Sequence, residues 1–182
     1  MLIKTIFAGF GGQGVLSIGR NLAEAGMREG KYVTYLPSYG VEVRGGTANC
    51  TVAISDEPIA SPVASSPEYV VVMNQPSLVK FQNQLESGGL IFVNSSVATT
   101  EVSRGDIDVV SVPATAIAEK MGSPKAANMV MLGAFIKKTK LVGISTISAT
   151  LGDSSARKAK SGDIKKSGDI NRKALMVGYE LF

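Results

Sequence analysis

Four glycines in six residues, Gly9-Phe10-Gly11-Gly12-Gln13-Gly14, stand between an apolar run and a helical repeat. The run before them, Ile3-Lys-Thr-Ile-Phe-Ala-Gly9, has the length and composition of a buried strand. After them Val15, Leu16, Ile18, Leu22, Ala23, Ala25 and Met27 recur at roughly helical spacing until Gly30 stops the helix. Residues 32–36, Tyr-Val-Thr-Tyr-Leu, read as a second strand closed by Pro37. A strand, a tight glycine turn, a helix and a strand imply a right-handed parallel crossover. The chain is thereby directed to an α/β layer architecture.

The remainder continues that alternation. A glycine-rich loop, 38–46, precedes Thr47–Ile54, where Ala48, Cys50, Val52 and Ile54 alternate with Thr47, Asn49, Thr51 and Ala53. After the turn at Asp56-Glu-Pro, Ile59–Val63 reads as a short edge segment kept irregular by Pro58 and Pro62. Residues 69–73, 90–93 and 108–112 read as further short strands, the first apolar throughout as in a parallel sheet. Helices are expected from Pro76 to about Leu85, over 114–121 and 126–138, and around 144–151. The polar region 152–170 holds a hexad duplication, Ser161-Gly-Asp-Ile-Lys-Lys and Ser167-Gly-Asp-Ile-Asn-Arg. It reads as loop, or as a helix start repeated by chance, with Asp169 a candidate N-cap of a last helix through about Tyr179. The expected fold is a three-layer α/β domain over residues 1–182. Its sheet is open and mostly parallel, with an antiparallel addition near 47–63.

Composition narrows the chemistry. The 182 residues include no His, no Trp and one Cys. A Ser-His-Asp triad, a Cys-His dyad and an imidazole metal ligand are therefore excluded, and Cys50 alone cannot hold an iron–sulfur cluster or form an internal disulfide. A lone Cys fits a reducing cytosol. No apolar run is long enough to span a membrane, and the opening residues lack the pattern of a signal peptide. A cytoplasmic protein without a membrane partner is expected.

The net charge of +4 is uneven. Residues 1–136 carry 9 basic and 11 acidic side chains, whereas 137–173 carry 10 and 3. A basic segment suits nucleic acid, a solvated helix surface or an acidic partner. Without interleaved aromatic residues to stack on bases, nucleic acid is disfavoured.

Gly9, Gly11 and Gly14 satisfy Gly-x-Gly-x-x-Gly, with a strand before and a helix after. Such a loop lets backbone N–H groups approach a phosphate at a positive helix end. Alternatively, its glycines serve only the tight turn and helix packing. Ordinary NAD binding also requires an acidic residue at the end of the second strand for the ribose hydroxyl. Here that strand runs into Thr34-Tyr-Leu-Pro-Ser-Tyr39, with no acid present. A phosphate-bearing ligand remains compatible, and a stand-alone NAD-type protein becomes the weaker alternative.

A second constellation is Tyr39-Gly40-Val-Glu42-Val-Arg44-Gly45-Gly46. Glu42 and Arg44 can pair with each other, face a partner subunit or meet a ligand anion. Cys50 reads as core. Asn74-Gln75 either contact a ligand or cap the next helix. Asn128 reads as a local hydrogen-bonding residue at the start of an apolar helix, and the Met-rich stretch after it as core.

Three segments in order resemble one family: Gly9-Phe-Gly-Gly-Gln-Gly-Val, Tyr39-Gly-Val-Glu-Val-Arg-Gly-Gly, and Ala127-Asn-Met-Val-Met-Leu-Gly-Ala-Phe. They look like the gamma subunit of 2-oxoacid:ferredoxin (acceptor) oxidoreductases. The ending Asn171-Arg-Lys-Ala-Leu-Met-Val-Gly-Tyr-Glu is similar to that family's terminal helix. The likeness covers most of the chain and is poorest over 152–170.

The resemblance implies a multi-subunit enzyme using thiamine diphosphate, Mg²⁺, iron–sulfur clusters and coenzyme A. It would convert a 2-oxoacid such as pyruvate or 2-oxoglutarate to an acyl-CoA and pass electrons to ferredoxin. Thiamine, metal and clusters would sit on alpha and beta partners, with a delta ferredoxin-like subunit as a further candidate. Gly9, Gly11, Gly12, Gln13 and Gly14 are then candidate coenzyme A phosphate contacts. Tyr39, Gly40, Glu42, Arg44, Gly45, Gly46 and Asn128 are candidate site-facing or interface residues. No catalytic or metal-ligating residue is assigned to this chain.

Overall fold

The computed structural model describes residues 1–39, 46–158 and 163–182, with side chains described there except for Tyr39, 152–158 and 163–167. Six strands form one sheet: β1 (Leu2–Phe10), β2 (Tyr32–Tyr39), β3 (Thr47–Ser55), β4 (Tyr69–Val72), β5 (Leu90–Asn94) and β6 (Asp108–Val112). Their spatial order is β2-β3-β1-β4-β5-β6. β1, β4, β5 and β6 run parallel, while β3 is antiparallel to both β1 and β2. The expected α/β sheet, mostly parallel with an antiparallel addition, is therefore the one observed.

The crossover from β1 through α1 (Val15–Arg28) to β2 leaves those two strands pointing the same way but not adjacent. β3 occupies the gap and pairs along its whole length with β1, from Phe10 opposite Thr47 to Leu2 opposite Ser55. The other face of β3 is consequently covered too: Ala53 is buried as fully as Cys50 and Ile54. β2 is the sheet edge, which is why it continues through Pro37 to Tyr39 instead of stopping there. Ile59–Val63 forms no strand, because Pro58 and Pro62 deny it regular pairing.

The two sheet faces are covered unequally. On one face Phe7, Cys50, Val52, Ile54, Val71, Phe92 and Val110 pack under α1, α3 (Ala114–Lys120), α4 (Ala127–Thr139), α5 (Ile144–Lys158) and α6 (Asp163–Tyr179). On the other, Ile6, Ala8, Val70, Val72, Ile91 and Val93 pack with Leu78 and Phe81 of α2 (Gln75–Phe81). Alternation along each strand produces this division. The ring of Phe135 in α4 ties the centre together, meeting Phe7, Tyr69 and Phe92 edge-on at 5.6, 5.7 and 5.3 Å between centroids.

Helix α4 is buried on nearly every side, from Ala127 to Ile136, because α6 covers the face turned away from the sheet. Their backbones meet at Gly133 and Gly178. A Cβ on Gly133 would lie 2.0 Å from the Leu175 carbonyl oxygen, and one on Gly178 1.9 Å from that of Val130. Helices α5 and α6 extend beyond the expected boundaries: α5 reaches Lys158 and α6 starts at Asp163. Asp169 is therefore no N-cap. It lies inside α6 and faces Arg172 at 3.8 Å, one turn on.

Candidate functional site

β1 delivers the glycine loop to the carboxyl end of the parallel strands, where open α/β sheets bind ligands. Gly9 is still in the sheet, opposite Ala48. Gly11 and Gly12 are exposed, while Gln13 and Gly14 are half-buried. Gly12 and Gly14 take φ of 96° and 75°, and Gly14 is the left-handed N-cap of α1, with no side chain capping that end. No acceptor among the described residues serves the backbone N–H groups of Gly12, Gly14, Val15 and Leu16. The amino end of a 14-residue helix thus keeps donors without an acceptor among the described residues.

Three distant segments hold the loop. The Gly11 N–H donates to the Gly46 carbonyl at 3.0 Å, bringing in the end of the second sequence motif. Asn128, buried in the first turn of α4, donates through Nδ2 to the Gly14 carbonyl at 3.3 Å, bringing in the third. The third attachment is made by Gln13. Its Oε1 accepts the Phe10 N–H at 2.7 Å and Asn74 Nδ2 at 3.2 Å, and its Nε2 donates to the Met73 carbonyl at 3.0 Å. The Gln13 carboxamide is turned into the protein, in space left by the missing side chain of Gly9.

Asn74 is a cap, one of the two roles open to it from sequence. Its Oδ1 accepts the Ser77 N–H at 2.9 Å, with Pro76 in the first turn of α2. Gln75 turns elsewhere, its Oε1 accepting the N–H groups of Thr99 and Thr100 at 3.0 Å each. Tyr39 ends β2 opposite Ala48, and its side chain lies outside the described residues, as do Gly40, Glu42, Arg44 and Gly45. Sequence reasoning missed the Gln13–Asn74 link. The two residues are 61 positions apart, and only the parallel pairing of β1 with β4 makes them neighbours.

The strand order bears on ligand choice. In ordinary dinucleotide sites the strand after the first helix lies beside the first strand and offers its acid to the ribose. Here β3 separates them, so the end of β2 lies two strand spacings from β1, about 9–10 Å, one spacing further than in those sites. Two hollows of about 510 and 530 Å³ lie away from the loop. One is on the outer side of α1 against Tyr35, with Arg20 and Met27, and the other is beside Val93, Thr99 and Val109.

Cys50 lies under α1, its thiol 3.5 Å from the Val15 carbonyl, and burial pushes it up to about 12. It is core, as its place in the alternating strand implied. Among the described residues no three His, Cys, Asp or Glu side chains stand together as metal ligands would, and no helix is long and apolar enough to cross a membrane.

The family described as pyruvate ferredoxin/flavodoxin oxidoreductase matches residues 4–181. The ketoisovalerate oxidoreductase subunit VorA of Methanothermobacter thermautotrophicus is 46% identical over 131 residues, 72% of this chain but 27% of that one. The chain thus spans about a quarter of that relative's length. The common gamma subunit of the pyruvate/ketoisovalerate oxidoreductases of Thermococcus litoralis is 35% identical over 191 residues, covering 99% of this chain and 100% of the relative. Among solved structures, the gamma subunit of a keto/oxoacid ferredoxin oxidoreductase from Geobacter sulfurreducens superposes with TM-score 0.82 at 27% identity, covering 99% and 95% of the two chains. A 2-oxoglutarate:ferredoxin oxidoreductase from Magnetococcus marinus, solved with 2-oxoglutarate, coenzyme A and succinyl-CoA bound, shares the fold at TM-score 0.88 and 22% identity. That match covers 99% of this chain and 31% of the Magnetococcus one. With the glycine loop, the strand order and the match over residues 4–181 in agreement, the chain belongs to the pyruvate ferredoxin/flavodoxin oxidoreductase family and has the fold of its gamma subunits.

Proposed function

We propose that this chain, acting as a single domain over residues 1–182, is the gamma subunit of a cytoplasmic, thiamine-dependent 2-oxoacid:ferredoxin oxidoreductase. The complex converts a 2-oxoacid and coenzyme A to an acyl-CoA and CO₂, and the electron pair released passes to ferredoxin. Thiamine diphosphate, Mg²⁺ and iron–sulfur clusters belong to alpha and beta partners; for the clusters, the one buried thiol of this chain offers too few ligands. A delta ferredoxin-like subunit is a further candidate partner.

The role of this chain is to supply one wall of the coenzyme A site. The observation that carries this reading is the convergence of the three motifs on one loop, through Gly11 to Gly46 and Asn128 to Gly14. The unsatisfied donors of Gly12, Gly14, Val15 and Leu16 suit the phosphates of coenzyme A, and the helix end adds a favourable field. The exposed loop leaves the opposite wall to a partner, with Tyr39, Gly40, Glu42, Arg44, Gly45 and Gly46 on the facing or interface side.

Gly11→Ala tests the reading. Among the described residues a Cβ there meets only the Gly46 oxygen, at 3.8 Å, so the substitution is sterically mild while placing a methyl on the exposed loop. In the assembled complex, KM for coenzyme A should rise with KM for the 2-oxoacid unchanged. An unaltered coenzyme A dependence would sink the reading. Titrating NADH and coenzyme A against the purified chain and the complex separates the stand-alone NAD-type alternative, which requires tight NADH binding and indifference to coenzyme A.

A further inference from the structure

The carboxamides of Gln13 and Asn74 form a bridge between two helix starts at the carboxyl ends of adjacent parallel strands. Asn74 is 3% exposed and uses both ends of its side chain: Oδ1 caps α2 at Ser77, and Nδ2 donates to Gln13 Oε1. Gln13 uses both of its own: Oε1 accepts from Phe10 and Asn74, and Nε2 donates to the Met73 carbonyl. Phe10 is the last residue of β1, and Met73 follows β4 directly. Each of the four polar atoms of the pair thereby has a partner within the protein, and the Gln13 carboxamide is turned inward from the loop surface.

These bonds act where the loop chooses its conformation. Gln13 sits between Gly12 and Gly14, the two positive-φ residues of the loop. Glycine in such a segment has many accessible conformations, so some other group must select one. Anchoring the Gln13 side chain to Phe10, Met73 and Asn74 fixes the plane between those glycines. The direction of the Gly12 and Gly14 N–H groups is then set before any ligand arrives, and preorganised donors bind more tightly than donors that must be ordered on binding.

We infer that Gln13 and Asn74 are positioning residues, which set the affinity of the loop for the phosphates of coenzyme A without touching the ligand. This rests on the coenzyme A reading above, and it reassigns Gln13 from contact to support.

Asn74 separates this role from a merely structural one. Asn74→Asp and Asn74→Ser both keep an oxygen to cap α2, and both remove the Nδ2 amide that reaches Gln13, the serine hydroxyl being too short to replace it. In the assembled complex each variant should raise KM for coenzyme A about five- to ten-fold, the usual weight of one such hydrogen bond. KM for the 2-oxoacid and kcat at saturating coenzyme A should stay at wild-type values, with the melting temperature lowered by no more than the few degrees that one buried hydrogen bond carries. An unchanged KM for coenzyme A in both variants, with Gly11→Ala still raising it, overturns the positioning role and leaves the site reading standing. An unchanged KM in all three overturns both. A loss spread equally over kcat and both KM values, with a lowered melting temperature, shows a structural role only and also overturns the inference.

Discussion

Asn128 Nδ2 and the Gly14 carbonyl oxygen, 114 residues apart in sequence, are joined at 3.3 Å. The same nitrogen would lie 2.2 Å from a Cβ built on Gly14, so the amide occupies the space a side chain there would need. The two residues are thus fitted to each other in both senses, by a bond and by an exclusion. Asn128→Ala should cost about 1 kcal/mol for the lost bond. Gly14→Ala should cost about 3 kcal/mol, combining the clash with the strain of a side chain at φ 75°. In the Asn128→Ala background the clash disappears and only the strain remains. Urea unfolding of the two single variants and the double variant should therefore show a coupling of at least about 1 kcal/mol. Strictly additive costs would contradict the geometry.

Much of this fold was legible because its signals are local. The run before Gly9, the periodicity after Gly14 and the apolar stretch at 69–73 each announce an element within a few residues. The position of β3 was not, since nothing in a β-α-β pattern reveals that the next strand folds back into the gap. The start of α6 was ambiguous, the repeated Ser-Gly-Asp reading either as loop or as a helix start. As loop, Ser167-Gly168-Asp169 would break the helix, yet Gly168 is buried within α6, where tertiary packing outweighs its poor propensity. At the site, the glycines and Asn128 stood out by type and spacing. The use made of Gln13 and Asn74 depends on strand pairing, and residue types alone do not carry it.

Gly133 and Gly178 allow α4 and α6 to touch backbone to backbone. Alanine is the better helix former by about 1 kcal/mol, so on propensity alone Gly→Ala at either position would stabilise. Packing reverses the sign. The added methyl would meet the Leu175 or Val130 carbonyl oxygen at 2.0 or 1.9 Å, far inside van der Waals contact, and a backbone inside a helix cannot step aside. Each substitution should destabilise by about 2–3 kcal/mol net, lowering the melting temperature by about 5–10 °C. A neutral or raised melting temperature would show that the helices separate at little cost.

Asp106 pairs with Arg104, whose guanidinium also donates to the Gln82 and Leu85 carbonyls at 3.0 and 2.5 Å. The hydrogen bond from Arg104 holds the Asp106 carboxyl down to about 2. A carboxyl depressed in the folded state stabilises above its unfolded pKa and loses that contribution as pH falls through the folded value. The pair should therefore weaken between about pH 4 and pH 2. Asp106→Asn should flatten the acid limb of stability in that window and leave its slope near neutrality unchanged. An acid limb identical in both proteins would remove Asp106 from the account.

The Cys50 thiol provides the opposite sign. It is fully buried against Gly19 and Val15, and burial raises it to about 12, because a thiolate cannot be solvated there. Two results follow from that one cause. In the native chain Cys50 should resist iodoacetamide at pH 8, whereas unfolded chain should react to completion, and mass spectrometry of the alkylated product distinguishes them. The second result is thermodynamic. An acid whose folded pKa is raised keeps its neutral form when folded, so its contribution is complete below the unfolded value and erodes as pH climbs toward the folded one. Stability should fall between about pH 9 and pH 12, and Cys50→Ala should remove that part of the slope while lowering stability at neutral pH through lost packing. Rapid alkylation of the folded chain would mean that α1 lifts from β3, and with it the amino end that carries the glycine loop.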